Sequence, residues 1–137
     1  MPVPAIETRI WMALKNRLLS LSLPPIAWPA AIFEKPDGPW IDVMNIMADN
    51  ARIMVGSRGQ HDRSGTLQLL VHHKLGTDYA LSQETAGQIA AHFWPDLNME
   101  FLGVRVRVIR APDVHEGYRS DDGWWVTPIR IRWQSFS

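Results

Sequence analysis

Two segments in the second half of the chain, Val104–Arg110 and Pro128–Trp133, contain runs in which apolar and basic residues alternate. In the first run Val104, Val106 and Val108 alternate with Arg105 and Arg107, and in the second Ile129, Ile131 and Trp133 alternate with Arg130 and Arg132. Successive side chains of a β-strand point to opposite faces of a sheet, so this period predicts two strands with one apolar and one basic face each. We expect the second strand to begin at Trp124. The chain must therefore supply a hydrophobic layer for only one side of its sheet.

Two helices are predicted to form that layer. From Pro4 to about Leu21, apolar residues recur at spacings of three and four along one helix face: Ile6, Ile10, Leu14, Leu18 and Leu21. A second helix begins between Asp78 and Ser82, either of which can cap free backbone N–H groups, and ends near Trp94, before Pro95. Its predicted buried stripe comprises Tyr79, Ala86, Ile89, Ala90 and Phe93.

Strands are predicted on both sides of a strong turn signal at residues 36–39, Pro-Asp-Gly-Pro. We read Ala30–Phe33 as an irregular entry into a first strand, and Trp40–Met47 as a second strand that pairs back with it in a hairpin. Thr66–His73 is rich in β-forming residues and alternates moderately, which predicts a further strand.

Two polar segments are predicted to be loops. Residues 49–64 contain glycines and charges, and we expect an exposed loop at their centre, with a short strand at Arg52–Val55 as an alternative. Pro112–Gly123 is an acidic loop between the two arginine-striped strands. The order helix, two or three strands, strand, helix, two strands predicts an α+β fold. We expect a mainly antiparallel sheet of four to five strands with two helices packed on one face.

Composition limits the size of the fold and the classes of partner. At 137 residues, with 46% apolar residues and seven tryptophans, the chain fits a single domain spanning residues 1–137. The absence of cysteine excludes disulfides and zinc–thiolate sites. Fourteen basic residues balance fourteen acidic ones, so no global field draws the chain to nucleic acid or to anionic membranes. No segment approaches the roughly 20 apolar residues of a membrane span.

The sequence shows no catalytic or cofactor-binding signature. His72 and His73 are adjacent in a predicted strand, so their side chains point to opposite faces and do not readily chelate one metal. No Gly-x-Ser-x-Gly elbow is present, and residues 56–59, Gly-Ser-Arg-Gly, match neither a P-loop nor a dinucleotide fingerprint. We expect no enzymatic activity, no metal and no cofactor.

The arginine-striped strands carry the most distinctive candidate site. If the two strands pair, one sheet face carries four like charges, on Arg105, Arg107, Arg130 and Arg132. Like charges opposite each other are destabilising, so such a face requires carboxylates, water or a polyanion over it. A solvated face, or one paired with acidic residues of the same or a neighbouring chain, is the preferred interpretation. Direct DNA binding is the alternative, without sequence reading, because no recognition helix accompanies the patch.

Four short motifs, taken in order, resemble the phage tail terminator (tail completion) proteins of long-tailed phages. They are Trp28-Pro29, Gly65-Thr66-Leu67-Gln68, the helix end Ile89–Phe93, and Thr127–Trp133. The resemblance covers nearly the whole chain. Ala30 is a departure, because the family often has asparagine after Trp-Pro at that turn.

The resemblance implies an α+β subunit of a hexameric ring. Such a ring sits on the tail tube, stops its polymerisation and offers a docking face to the head connector or stopper protein, while DNA passes through it without sequence recognition. It implies a place in the virion, at the head–tail junction of the tail, and assembly in the host cytoplasm. On this reading the four arginines of the striped strands form a subunit interface or line the channel, and Arg58, Gln60, Asp62 and Arg63 form a loop that contacts the tube. Another head–tail joining protein, a stopper or adaptor, and a nucleic-acid-binding module remain as alternatives.

Overall fold

The computed structural model describes residues 4–48, 51–52 and 61–136. These residues form two helices, α1 (Ile6–Leu19) and α2 (Tyr79–His92), and a single sheet of nine strands. In chain order the strands are β1 (Ile26–Ala27), β2 (Trp40–Met47), β3 (Ala51–Arg52), β4 (His61–Lys74), β5 (Asn98–Phe101), β6 (Val104–Val108), β7 (Asp113–Val114), β8 (Tyr118–Arg119) and β9 (Trp124–Phe136).

Strands β4 and β9 form the centre of the sheet. They pair antiparallel from Asp62 opposite Phe136 to Lys74 opposite Trp124. The main strand order is β1-β2-β4-β9-β6-β5, and the second edge of β9 is occupied in turn by β6, β7 and β8. Because β1 runs parallel to β2, the sheet is mixed. The α+β prediction is confirmed, but the prediction of four to five mainly antiparallel strands is wrong.

The predicted hairpin before β2 is also wrong. The strand that pairs with β2 on this side is β1, which precedes the Trp-Pro pair and lies parallel, with Ile26 opposite Ile41. Residues 30–33 lie outside the sheet, and Ala30 has a φ of 62°, in the left-handed region. The turn at residues 36–39 therefore connects a loop, and not a partner strand, to the start of β2.

Both predicted loops contain strand residues. Residues 61–65 belong to β4, so this strand begins five residues before the predicted start at Thr66. In the acidic segment, β7 and β8 each add a two-residue pair to the edge of β9. Of the alternative strand Arg52–Val55, Arg52 lies in β3, and residues 53–55 lie outside the described residues.

The helices form where the sequence predicts them. In α1, Ile10, Leu14 and Leu18 are fully or almost fully buried along one face. At the start of α2, the Asp78 carboxylate accepts a hydrogen bond from the Ala80 N–H (3.0 Å), which supplies the predicted cap. Tyr79, placed in the buried stripe by periodicity, is instead exposed in the first turn of α2, where its ring meets Trp125 edge-on at 6.0 Å.

Both helices pack on the same face of the sheet, hereafter the inner face. Their buried side chains share one core with alternate residues of β2, β4, β6 and β9: Ile41, Val43, Leu67, Leu69, Val71, Val104, Val106, Val108, Ile129, Ile131 and Trp133. At the C-terminal ends of the helices, the Arg17 guanidinium donates to the His92 carbonyl (3.1 and 2.9 Å) and lies over the Trp94 ring. This contact joins the last turn of α1 to the end of α2, where cations are favourable.

Candidate interface on the outer face of the sheet

The face of the sheet opposite the helices, hereafter the outer face, is covered at one end by an aromatic cluster. Trp40 stacks on His72 with ring centroids 3.7 Å apart, and Trp124 meets both rings edge-on. Phe33, from the loop before β2, packs on Trp40 at 5.4 Å. These four rings define the aromatic cap. Trp124 and Trp125 lie on opposite faces, as neighbours in a strand must.

An ion pair connects the loop before β2 to Asp122, beside the aromatic cap. The Lys35 ammonium lies 2.8 Å from the Asp122 carboxylate and 5.6 Å from the centre of the Trp40 ring. The hydrogen bond from Lys35, followed by one from the Ser120 hydroxyl, lowers the pKa of Asp122 to about 2. The carboxylate is therefore charged, and able to pair with Lys35, through the physiological range.

The two adjacent histidines lie in different environments. His72 is stacked in the aromatic cap, and its Nδ1 lies 2.9 Å from the Leu70 carbonyl, while His73 lies on the inner face beside α2. Burial lowers the pKa of both, and it also lowers the pKa of His92, where Arg17 adds to the effect. The prediction that His72 and His73 point apart is confirmed. Among the described residues, no histidine, aspartate or glutamate cluster is arranged to hold a metal ion.

The histidines predict a loss of stability on acidification. A group whose pKa is lower in the folded chain stabilises the fold above its ordinary pKa of about 6.5 and loses this contribution as the pH falls through and below that value. We therefore expect the free energy of unfolding, measured in urea, to fall between pH 7 and pH 5. His72→Phe keeps a ring against Trp40 and should make this fall shallower. A free energy that is constant or rises on acidification contradicts the assignment.

Beyond the aromatic cap, the described residues leave the outer face open. Its rows run across three paired strands: Met44, Gln68 and Arg130 form one row, and Ile46, Thr66 and Arg132 form the next. Met44 and Ile46 are 56% and 46% exposed. An apolar column on β2 thus lies beside a polar column on β4 and a basic column on β9, a combination of apolar residues and arginine that is typical of protein interfaces.

The four arginines lie on this face but are not opposite one another. Strand β6 pairs with β9 only at Arg107–Gln134 and Val108–Trp133, so Arg105 and Arg107 lie further along the sheet than Arg130 and Arg132. The offset staggers these like charges along the face, so that none lies directly opposite another.

Most of these arginines have a carboxylate partner within the chain. The closest ion-pair distances are 3.6 Å from Arg105 to Glu100, 3.4 Å from Arg107 to Asp96 and 3.9 Å from Arg132 to Asp113. Arg107 also donates to the Gln134 side chain at 3.1 Å. Arg130 is exposed and, among the described residues, has no carboxylate within 4.0 Å. Exposed pairs contribute little to stability, but they reduce the positive field of the face.

The predicted tube-contact loop falls largely outside the described residues. Arg58 and Gln60 lie outside them, and the Asp62 side chain does as well, although its backbone belongs to β4. Arg63 is in β4 and not in a loop. Its side chain is only 12% exposed and lies 3.8 Å from Glu7 of α1, so it serves the contact between helix and sheet.

Sequence reasoning did not identify the apolar column of the outer face. Strand β2 reads Trp-Ile-Asp-Val-Met-Asn-Ile-Met, which is apolar at positions on both faces. A strand with one face in solvent normally alternates, so the extra Met44 and Ile46 were a readable signal of an apolar column on the second face.

These features define a sheet whose outer face presents apolar and basic side chains to solvent. None of the helices in the described ranges has the length and apolar character needed to cross a membrane. Among the solved structures with a similar fold, one has a TM-score of 0.76 over 92% of each chain and 23% sequence identity. No curated protein matches this chain.

The sequence model of the family described as Phage tail terminator protein matches residues 9–133. The chain belongs to that family. It is therefore a structural component of a phage tail that contacts other virion proteins.

Proposed function

We propose that this chain assembles into a hexameric ring on the end of the tail tube, ends the polymerisation of the tube and offers a docking surface to the head connector. Family membership and the open outer face support the proposal. Met44, Ile46 and Arg130 together form an exposed apolar and basic surface of the kind that a partner protein covers.

Termination in this account is a matter of surface geometry. One side of the ring complements the end of the tube, and the opposite side does not reproduce the tube's own surface, so no further tube subunit is added. A ring built from head-to-tail contacts closes only when the rotation between neighbouring subunits divides a full turn, and otherwise it continues as an open filament. The arrangement of subunits therefore carries the function, and no catalytic step is required.

We assign Arg105, Arg107, Arg130 and Arg132 to a subunit interface or to the channel through which DNA passes. The internal ion pairs of three of these arginines argue against a DNA-reading surface, because an arginine already beside a carboxylate contributes less to phosphate binding. In a channel, arginines that are already paired with carboxylates bind DNA less tightly than unpaired arginines, which favours passage of the DNA. No sequence recognition is proposed.

Light scattering and negative-stain images of the purified protein test the ring. We expect particles of sixfold symmetry at high protein concentration and an end to tube growth when the protein is added to polymerising tube subunits. A chain that stays monomeric at high concentration and fails to stop tube growth contradicts the proposal.

A further inference from the structure

One apolar side chain, in the loop before β2, projects fully into solvent. Ile32 is fully exposed, although it lies in a loop whose neighbouring residues Trp28 and Phe33 both pack against the chain. Burying an isoleucine side chain is favourable, so the isolated chain forgoes that contribution here. A single exposed apolar residue is common on protein surfaces, so a contact at Ile32 is inferred from how its loop is held and from what lies elsewhere on the chain.

The loop around Ile32 is anchored on both sides. Before it, Trp28 meets Trp11 edge-on at 6.0 Å, and the Lys15 ammonium lies 4.9 Å from the Trp28 ring. After it, Phe33 packs on Trp40, and Lys35 pairs with Asp122. A hydrogen bond from the Ala31 N–H to the Trp28 carbonyl (3.1 Å) tightens the turn. Ile32 is thus held outward before any partner arrives, which lowers the entropy lost on binding.

A cavity of matching character lies elsewhere on the same chain. It has a volume of about 210 Å³ and opens between the turn after β4, the first turn of α2 and β9. Leu75, Tyr79 and Trp125 form its apolar walls, and the first two are exposed large apolar residues. The volume is below the roughly 300–1,000 Å³ of small-molecule sites, which favours a protein side chain as the occupant.

One charged residue beside Ile32 and one beside the cavity have opposite signs and no ion-pair partner among the described residues. Glu34, two residues after Ile32, is exposed and has no cation within 4.0 Å among the described residues. Arg119 lines the cavity and is exposed. Among the described residues, no carboxylate lies within 4.0 Å of its guanidinium. An acidic residue next to the projecting side chain and a basic residue next to the cavity favour one orientation of two copies of this chain.

We propose that Ile32 of one copy inserts into the cavity lined by Leu75, Tyr79 and Trp125 of the next copy, with Glu34 facing Arg119. The proposal rests on the ring of the proposed function and specifies its subunit contact. The two surfaces are different, since the Ile32 loop packs on the outer face and the cavity opens beside α2. The contact is therefore heterologous, and repeating it produces a ring or a filament rather than a closed dimer.

Disulfide trapping tests this contact directly, because the chain has no cysteine of its own. Two single-cysteine proteins, Ile32→Cys and Leu75→Cys, one of them carrying a size tag, are mixed under mild oxidation. The control replaces Leu75→Cys with Leu102→Cys, at a similarly exposed position on the turn between β5 and β6 (58% exposed, against 43% for Leu75). We expect the mixed dimer of Ile32→Cys and Leu75→Cys to form at least about tenfold faster than the control, since a disulfide requires Cα atoms within about 7 Å.

Charge reversal provides the second measurement. Arg119→Glu in the Leu75→Cys protein should slow trapping, and Glu34→Arg in the Ile32→Cys protein should restore it. Trapping no faster than the Leu102→Cys control overturns the inference. If rings still form in images of the unmodified protein, only this contact is refuted. If neither rings nor trapping are observed and tube growth continues, the proposed function fails as well.

Discussion

Replacing Gly65 with alanine is expected to lower the free energy of unfolding by about 2–3 kcal/mol, the upper range for overpacking a core. A Cβ atom at this position would lie 2.6 Å from the Ile46 carbonyl oxygen and 2.6 Å from the indole ring of Trp133. The carbonyl belongs to the paired strand β2, and the indole is fully buried, so neither can move away without disturbing the sheet. Urea denaturation monitored by circular dichroism measures the effect.

Gly87→Ala is the matched control. Gly87 lies on the exposed side of α2, and nothing lies within 4 Å of the position of its Cβ atom. Alanine loses less backbone entropy than glycine in a helix, so this variant should gain about 0.5–1 kcal/mol. Equal stabilities of the two variants contradict the packing described around Gly65.

Trp133→Ala is expected to be the most damaging single change, at about 3–5 kcal/mol. Trp133 is fully buried in β9, and its indole N–H donates to the Asn45 side chain at 2.9 Å. The substitution leaves a cavity in the core and removes the partner of Asn45. Small domains are stable by only about 5–15 kcal/mol, so a large share of total stability is lost.

The control for Trp133 is a tryptophan at the surface. Trp94 is 49% exposed, and its described contact is with the Arg17 guanidinium, 4.7 Å from the ring centre. Trp94→Ala should cost about 0.5–1 kcal/mol, the range for an exposed cation–π contact. Thermal unfolding of both variants separates the two cases, and a Trp133→Ala protein as stable as Trp94→Ala refutes the assigned core.

The helices and the two arginine-striped strands could be predicted because local signals determine them. Spacings of three and four mark α1, and the Asp78 cap and Pro95 bound α2. The alternation around Val106 and Ile131 identifies the buried face of β6 and β9, and the core contains those residues. Each of these signals is contained within one element and does not depend on which strand lies beside it.

Strand β5 was missed because its turn has an unusual sequence. Phe101 pairs with Val104 across Leu102 and Gly103, whose φ angles are 47° and 83°. Two central residues with positive φ are characteristic of a type I′ hairpin turn, which is normally signalled by Asn-Gly or Asp-Gly. Leucine at the first position is not the asparagine or aspartate that marks such a turn in a sequence. Glycine at the second position supplies the conformational freedom that the turn needs.

The parallel pairing of β1 was not predictable from local sequence either. The turn signal before Trp40 suggested a hairpin, but Trp28 packs toward α1 and Phe33 packs on Trp40, so the intervening chain leaves the plane of the sheet. Tertiary contacts thus decide the partner strand. The same holds for the outer face, where the ion pairs of Arg105, Arg107 and Arg132 depend on residues that only the topology brings near them.

The length distribution of tails in particles assembled without this chain tests the central claim most directly. Electron microscopy measures it, with particles that contain the chain as the reference. If the chain ends tube polymerisation, its absence should produce overlong tails of variable length. DNA-filled heads without attached tails, with no overlong tails in the same preparation, would contradict termination and assign the chain to the joint between head and tail.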